Sequence, residues 1–230
     1  MGRATTFKSW SYSRYSDWAR CPQYAKFKHL DKLQEPRNNA MNRGIEIGEA
    51  GEAYLTRRTT RLHPELKPVA DRYKRLRERK NLVVEQQWGF DKNWLPVPWD
   101  DWSNCVVRVK MDISFVDLDS NVLVVIDAKT GKYRPDNISV YRDQLEIYTI
   151  GGFAQYPDIE GVDASLLYTD HGIEYPEEIT VVDRAQGEVL KKRWNKKVAP
   201  MLRDTRFLPK PNSGCRWCHF RSENGGPCKY

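Results

Sequence analysis

The chain of 230 residues carries 38 Lys and Arg against 31 Asp and Glu, a formal net charge of +7, with 40% hydrophobic and 12% aromatic residues. That apolar content excludes a disordered chain, and no apolar run approaches the roughly 20 residues of a membrane-spanning helix, so no membrane is expected as a partner. The basic excess points to a polyanion, most simply nucleic acid, and the lack of an N-terminal apolar stretch makes a cytoplasmic location the expectation.

Met1-Gly2 with Thr6 formally fits an acylation pattern short enough to occur by chance. Ser13 is the expected cap of a first helix over residues 14–33, which Glu35-Pro36 ends. A second helix is expected over 42–58 and a third over 69–80, the latter so dense in charge that a solvated face is its plain reading. From Asn81 the period changes to two. Residues 82–90 read as a strand, followed by a loop with Trp94, Trp99 and Trp102 among prolines, whose rings either stack on unpaired bases or cover the sheet edge. Over 106–116, Val107, Val109, Met111, Ile113 and Phe115 alternate with Arg108, Lys110, Asp112 and Ser114. Residues 122–126 are apolar on both faces, as in a central strand. A helix over 138–153, strands over 164–169 and 174–182, and a basic helix over 184–202 complete the order. The pattern predicts a single α/β domain, a central mixed sheet flanked by helices. Its parts are a helical N-terminal portion (1–80), a sheet core bearing the chemistry (81–183), and a basic helix with a Cys-rich tail (184–230).

Asp117-Leu118-Asp119-Ser120-Asn121 is a turn signal between two strands. With Asp119-Ser120 at the centre of a tight hairpin, Asp112 faces Asp127 with Cβ atoms about 4.5–5.5 Å apart, and Lys110 faces Lys129. Two carboxylates side by side are unfavourable without a cation between them, so the pair suggests a Mg²⁺ or Mn²⁺ site of hard oxygen ligands. In Asp127-Ala128-Lys129 the lysine shares the face of Asp127, where it can orient a water or stabilise a phosphorane-like transition state. A salt bridge at a strand end is the plainer alternative. Gln144 and Tyr148, one turn apart on the next helix, either position a phosphate or the lysine, or form an ordinary polar face.

The order Asp112, then Val-Val-Ile-Asp127-Ala-Lys129-Thr-Gly-Lys132, then Gln144-Leu-Glu-Ile-Tyr148 resembles the RecB-type branch of the PD-(D/E)XK nuclease superfamily. Ser11-Tyr-Ser13…Cys21-Pro22 and Asn42-Arg-Gly44…Glu52-Ala-Tyr54-Leu55 extend the resemblance over nearly the whole chain. It implies a restriction-endonuclease-like core and a metal-dependent DNA nuclease, an exonuclease rather than an endonuclease. Asp112, Asp127 and the backbone carbonyl of Ala128 would be ligands of Mg²⁺ or Mn²⁺, Lys129 the catalytic lysine, and Gln144 and Tyr148 organisers of the site or of DNA. Compact members include viral exonucleases and CRISPR-adaptation nucleases, so a virus-encoded chain acting in a host cytoplasm is within the expectation. A homo-oligomer, or a recombination or repair protein as partner, is the association to look for. One departure stands out: the branch carries a histidine ligand on the second helix where this chain has Gly48, and Glu52, one turn further, is the candidate substitute. The alternative reading is a catalytically weakened DNA-binding or assembly module on the same fold.

Cys215-Arg-Trp-Cys218 lies ten positions before Cys228 in a loop with Gly and Pro, and His219 adjoins it. With Cys21 these make a four-sulfur set that suits tetrahedral Zn²⁺ or a [4Fe–4S] cluster, unless they are merely buried free thiols. The resemblance favours the cluster, since iron–sulfur members carry one cysteine before the core and three after, joining the chain ends. Cys105 reads as core. Lys191, Lys192, Lys196 and Lys197 make the late helix an expected DNA-binding surface, or a solvated face. A zinc-stabilised binding protein without phosphodiester chemistry is the third reading.

Overall fold

The computed structural model describes residues 6–178 and 180–230, so Met1-Gly2 of the acylation pattern lies outside the described residues. Local chemistry sets the first helices. Ser11, rather than Ser13, caps α1 (Tyr12–Arg20) by accepting the Arg14 N–H. The expected helix to residue 33 is broken at Cys21, which is extended at φ −160°, because a residue before proline is forced out of the helical region. Pro22 then starts α2 (Pro22–Ala25), which runs into a π turn over Lys26–Leu30. Asn38 caps α3 (Asn39–Leu55) through the Met41 N–H. A 3₁₀ segment, Pro64–Val69, leads into α4 (Ala70–Glu78), which turns Tyr73 and Leu76 inward and its charges outward, as the sequence implied.

The strands are β1 (Val83–Phe90), β2 (Pro96–Val97), β3 (Val107–Asp117), β4 (Val122–Lys129), β5 (Gly161–Tyr168), β6 (Ile173–Tyr175) and β7 (Val181–Asp183). They form one mixed sheet in the order β2-β1-β3-β4-β5-β6, with β7 also on β5. β4 and β5 are parallel, and α5 (Ile138–Gln155) makes the crossover between them. The one strand expected over 174–182 is two, since Pro176 supplies no ladder N–H. β6 and β7 instead share the outer edge of β5. The β3–β4 register follows the expected hairpin, Ile113 opposite Ile126 and Asp117 opposite Val122. The turn is longer than two residues, with Asp117 accepting the Asp119 and Ser120 N–H groups and Asn121 at φ +52°.

Two compact units result: residues 38–191, and residues 6–37 with 192–230. In the first, Ile47, Leu66, Tyr73 and Leu76 from the α3/α4 layer pack on Ile113, Phe115 and Ile126 of the sheet. On α5, Gly152 lies so close to Leu123 and Val162 that an added Cβ would stand 2.7 Å from Leu123, which lets the helix lie flat on the sheet. In the second, α6 (Arg184–Arg203) buries Trp194, Val198 and Met201, and Trp10 stacks on Trp194 at 5.9 Å. Among the described residues no helix is long and apolar enough to cross a membrane.

Candidate active site

The site lies where two strands part. β3 pairs with β4 only as far as Ile113–Ile126, whereas β4 continues along β5 to Lys129. Beyond Ile126 the β4 backbone loses its β3 partner, and the Asp112 carboxylate takes the Ala128 N–H at 2.9 Å in its stead. The splay also corrects one expectation: Lys110 does not face Lys129 but pairs with Gln87 across β1 and meets Glu85 at 2.5 Å.

Asp127 is 4% exposed and its two oxygens see different chemistry. Oδ1 accepts the Gln144 amide at 3.1 Å and the Tyr148 hydroxyl, and Gln144 also donates to Tyr148 at 2.8 Å. One face of α5 therefore carries both residues onto one carboxylate oxygen. Oδ2 has the Lys129 ammonium as its partner, an ion pair at 2.5 Å. Burial pushes the Asp112 carboxyl up to about 7, helped by the Asp127 charge and opposed by Lys129 and the Ala128 N–H. Burial works against the Lys129 ammonium, but Asp127 and Asp112 outweigh it and hold the amine above its ordinary value. Burial with the Asp127 charge raises the Tyr148 phenol, so it stays a donor.

On the α3 side of the parted strands is a cavity of about 200 Å³ lined by Gly48, Glu52, Glu85, Asp112, Ala128 and Thr130, among others. A Cβ built at Gly48 meets nothing within 4 Å, so a longer side chain there has room. Glu52 does reach this cavity, but its carboxylate is tied to Arg58 at 2.5 Å. Sequence reasoning missed Glu85. It falls between the β1–β3 pairs Val84–Ile113 and Gln86–Met111, level with Asp112, at φ +58°, and its charge adds to the burial and charge that raise the Asp112 carboxyl. Its signal is the long-range register of β1, which no local pattern discloses. Among the described residues no three His, Cys, Asp or Glu side chains converge on one ion position, so Asp112, Asp127 and Glu52 do not form a closed cage.

Cys21, Cys215, Cys218 and Cys228 line a single cavity of about 240 Å³ within the unit of the chain ends. The Lys210 N–H donates to Cys21 Sγ at 3.4 Å and the Asn212 N–H to Cys215 Sγ at 3.3 Å, while the Cys228 thiol donates to Gln23 at 3.1 Å. Burial pushes the Cys218 thiol up, against the Phe220 N–H and the Arg20 charge. The four cysteines line one space, and among the described residues no three of them converge on a single ion position. Cys105 is core at 3% exposure, and Trp94 is core at 2%, so of the loop tryptophans Trp102 is the exposed one, under the Arg108 guanidinium at 4.2 Å.

Of the four lysines on α6, Lys192 and Lys196 are exposed one turn apart. Lys191 is paired with Glu188 at 2.9 Å, and Lys197 lies 4.3 Å from the Trp194 ring centre.

The family model of the PD-(D/E)XK nuclease superfamily matches residues 47–222. The crystal structure of a candidate exonuclease from Eubacterium rectale superposes with a TM-score of 0.53 at 12% identity, covering 92% of this chain and 87% of that one. The structure of SSO0001 covers 93% of this chain and 84% of its own at 13% identity, with a TM-score of 0.44. No curated protein matches the sequence.

Proposed function

Since the chain belongs to the PD-(D/E)XK nuclease superfamily, we propose that it hydrolyses DNA phosphodiesters from ends, with Asp112, Asp127 and the Ala128 carbonyl holding Mg²⁺ or Mn²⁺. The observation that carries this reading is the Asp112–Asp127 pair itself, two carboxylates at the parting of β3 and β4 that share the single Lys129 ammonium. Two carboxylates side by side with one ammonium between them are unfavourable without a further cation. The donors are all oxygen, which suits a hard divalent ion. Bound there, that ion supplies Lewis-acid polarisation of a phosphoryl oxygen and an acidified water.

The rest falls to the chain's own side chains. Gln144 and Tyr148 hold Asp127 Oδ1, which leaves Oδ2 turned to Lys129; they are positioning residues. The Lys129 ammonium, now paired with Asp127, would donate to a phosphate oxygen as charge develops in the transition state. Digestion of end-labelled DNA with Mg²⁺ and with Mn²⁺ tests the reading. Metal-dependent shortening from the ends is expected, lost by more than about 10³-fold in Asp127→Asn. A second reading, a DNA-binding module with weakened chemistry, is favoured by the empty helix position at Gly48 and by the Glu52–Arg58 pair. Cleavage gained only with Gly48→His, or DNA binding with no cleavage by either chain, selects it.

We also propose that the four cysteines hold a [4Fe–4S] cluster rather than one zinc ion. The support is that all four line one cavity, with backbone amides donating to two of the sulfurs. Such a group is structural in this position. Iron and acid-labile sulfide in the purified protein are expected; stoichiometric zinc without iron counts against it.

A further inference from the structure

Four tyrosines from four segments meet beside the candidate active site. Tyr133 follows β4, Tyr141 lies on α5, Tyr168 ends β5 and Tyr175 ends β6. Tyr133 and Tyr141 are stacked with centres 6.1 Å apart, and both lie against Tyr168, at 5.1 and 5.7 Å. Tyr175 closes the group at 5.7 Å from Tyr141. Tyr168 is buried as the floor, and the other three are half-buried, leaving ring surface in solvent.

Three facts tie the group to the site. Tyr168 is the β5 partner of Lys129, and the Asp127 charge reaches its phenol. Tyr141, Gln144 and Tyr148 share one face of α5, so Tyr141 stands about 5 Å along the helix from Gln144 and about 10 Å from Tyr148, the two residues that hold Asp127. The loop bearing Tyr133 is anchored: the Gly131 N–H donates to Asp170 at 2.9 Å, and Arg43 grips Asp170 through two bonds of 3.0 Å. Lys132, Arg134 and Arg142 are exposed on the same segments, and the Glu177 charge reaches the Tyr133 phenol.

Resting on the nuclease reading, we infer that this tyrosine group is a stacking platform for an unpaired base next to the cleaved phosphate, which makes single-stranded DNA the preferred substrate. Base–aromatic stacking needs an open ring face on both partners, and a base inside a duplex offers none. Cations flanking the rings take the backbone while the rings take the base.

The test is fluorescence anisotropy of labelled oligothymidylate and of an abasic oligonucleotide of equal length, with Ca²⁺ to prevent turnover. The protein should bind the thymidylate about tenfold more tightly than the abasic strand. Tyr133→Leu should bring that ratio close to one, and Tyr133→Phe should preserve it. Equal affinity for the two strands in the unsubstituted protein overturns the platform without touching the nuclease reading. A Tyr133→Leu protein with native circular dichroism and the full ratio overturns it too. Failure to bind DNA of any kind overturns both.

Discussion

At Asp112 and Asp127 two carboxylates share one ammonium, their other donors, the Ala128 N–H, the Gln144 amide and the Tyr148 hydroxyl, being neutral, so the pair is short of positive charge. Burial, with the Asp127 charge beside it, keeps a proton on Asp112 up to about pH 7. A carboxyl raised in the folded chain binds more protons there than in the unfolded chain between its ordinary value and about 7. The metal-free fold therefore loses stability as pH rises across that window. Asp112→Asn should remove this dependence and raise the melting temperature of the chelated protein above pH 7, which thermal scans at several pH values will show. Divalent ions must displace the same proton, so Mn²⁺ affinity should climb with pH up to about 7 and level off above it; calorimetry in two buffers would register close to one proton released on the acid side. Tyr148→Phe removes a donor from Asp127 Oδ1 and leaves the ring; a fall in Mn²⁺ affinity of about 10- to 100-fold is expected, with little change in far-UV circular dichroism. These residues were legible in the sequence because the motif is local: Asp127, Lys129, Gln144 and Tyr148 fall within 22 positions along one strand and one helix. Glu85 was not, because only the pairing of β1 with β3 brings it level with Asp112.

Between elements, the readable features were those decided by periodicity and burial. The alternation of β3 and the apolar run of β4 fixed both the pairing and the register, since a slip of one residue would send Ile113 and Phe115 to the wrong face. The errors fall at prolines. Pro22 breaks the first helix and Pro176 divides the last strand, each through a steric effect on one neighbour that a hydrophobic pattern does not register. Two glycines separate packing from function at this scale. At Gly89 an added Cβ would stand 2.8 Å from the Val97 carbonyl oxygen, so β1 and β2 approach too closely for any side chain. Gly48 sits in a helix with open space beside it, where glycine costs about 1 kcal/mol relative to alanine. Denaturant unfolding should find Gly48→Ala stabilising by up to about 1 kcal/mol and Gly89→Ala destabilising by more than about 1 kcal/mol. A Gly48→Ala protein no more stable than the parent would mean that the helix is distorted at that position.

Over the whole molecule the excess of +7 is a statement about partners, because charge of one sign is not needed to build this sheet. It becomes specific only when the pairing of each cation is known. Of the lysines expected to meet DNA, Lys191 already neutralises Glu188 and Lys197 lies over Trp194, whereas Lys192 and Lys196 stand exposed on consecutive turns of α6. Counterion release makes the distinction measurable, since each phosphate neutralised on single-stranded DNA contributes about 0.7 to the slope of log affinity against log salt. Replacing Lys192 and Lys196 by Gln should weaken binding evenly across sequences and flatten that slope by about 1.4, while Lys191→Gln should change it by less. Equal slopes for the double variant and the parent would place the phosphate contacts elsewhere, on Lys132, Arg134 and Arg142 beside the tyrosines. The charge excess would then act through the active-site rim rather than through α6.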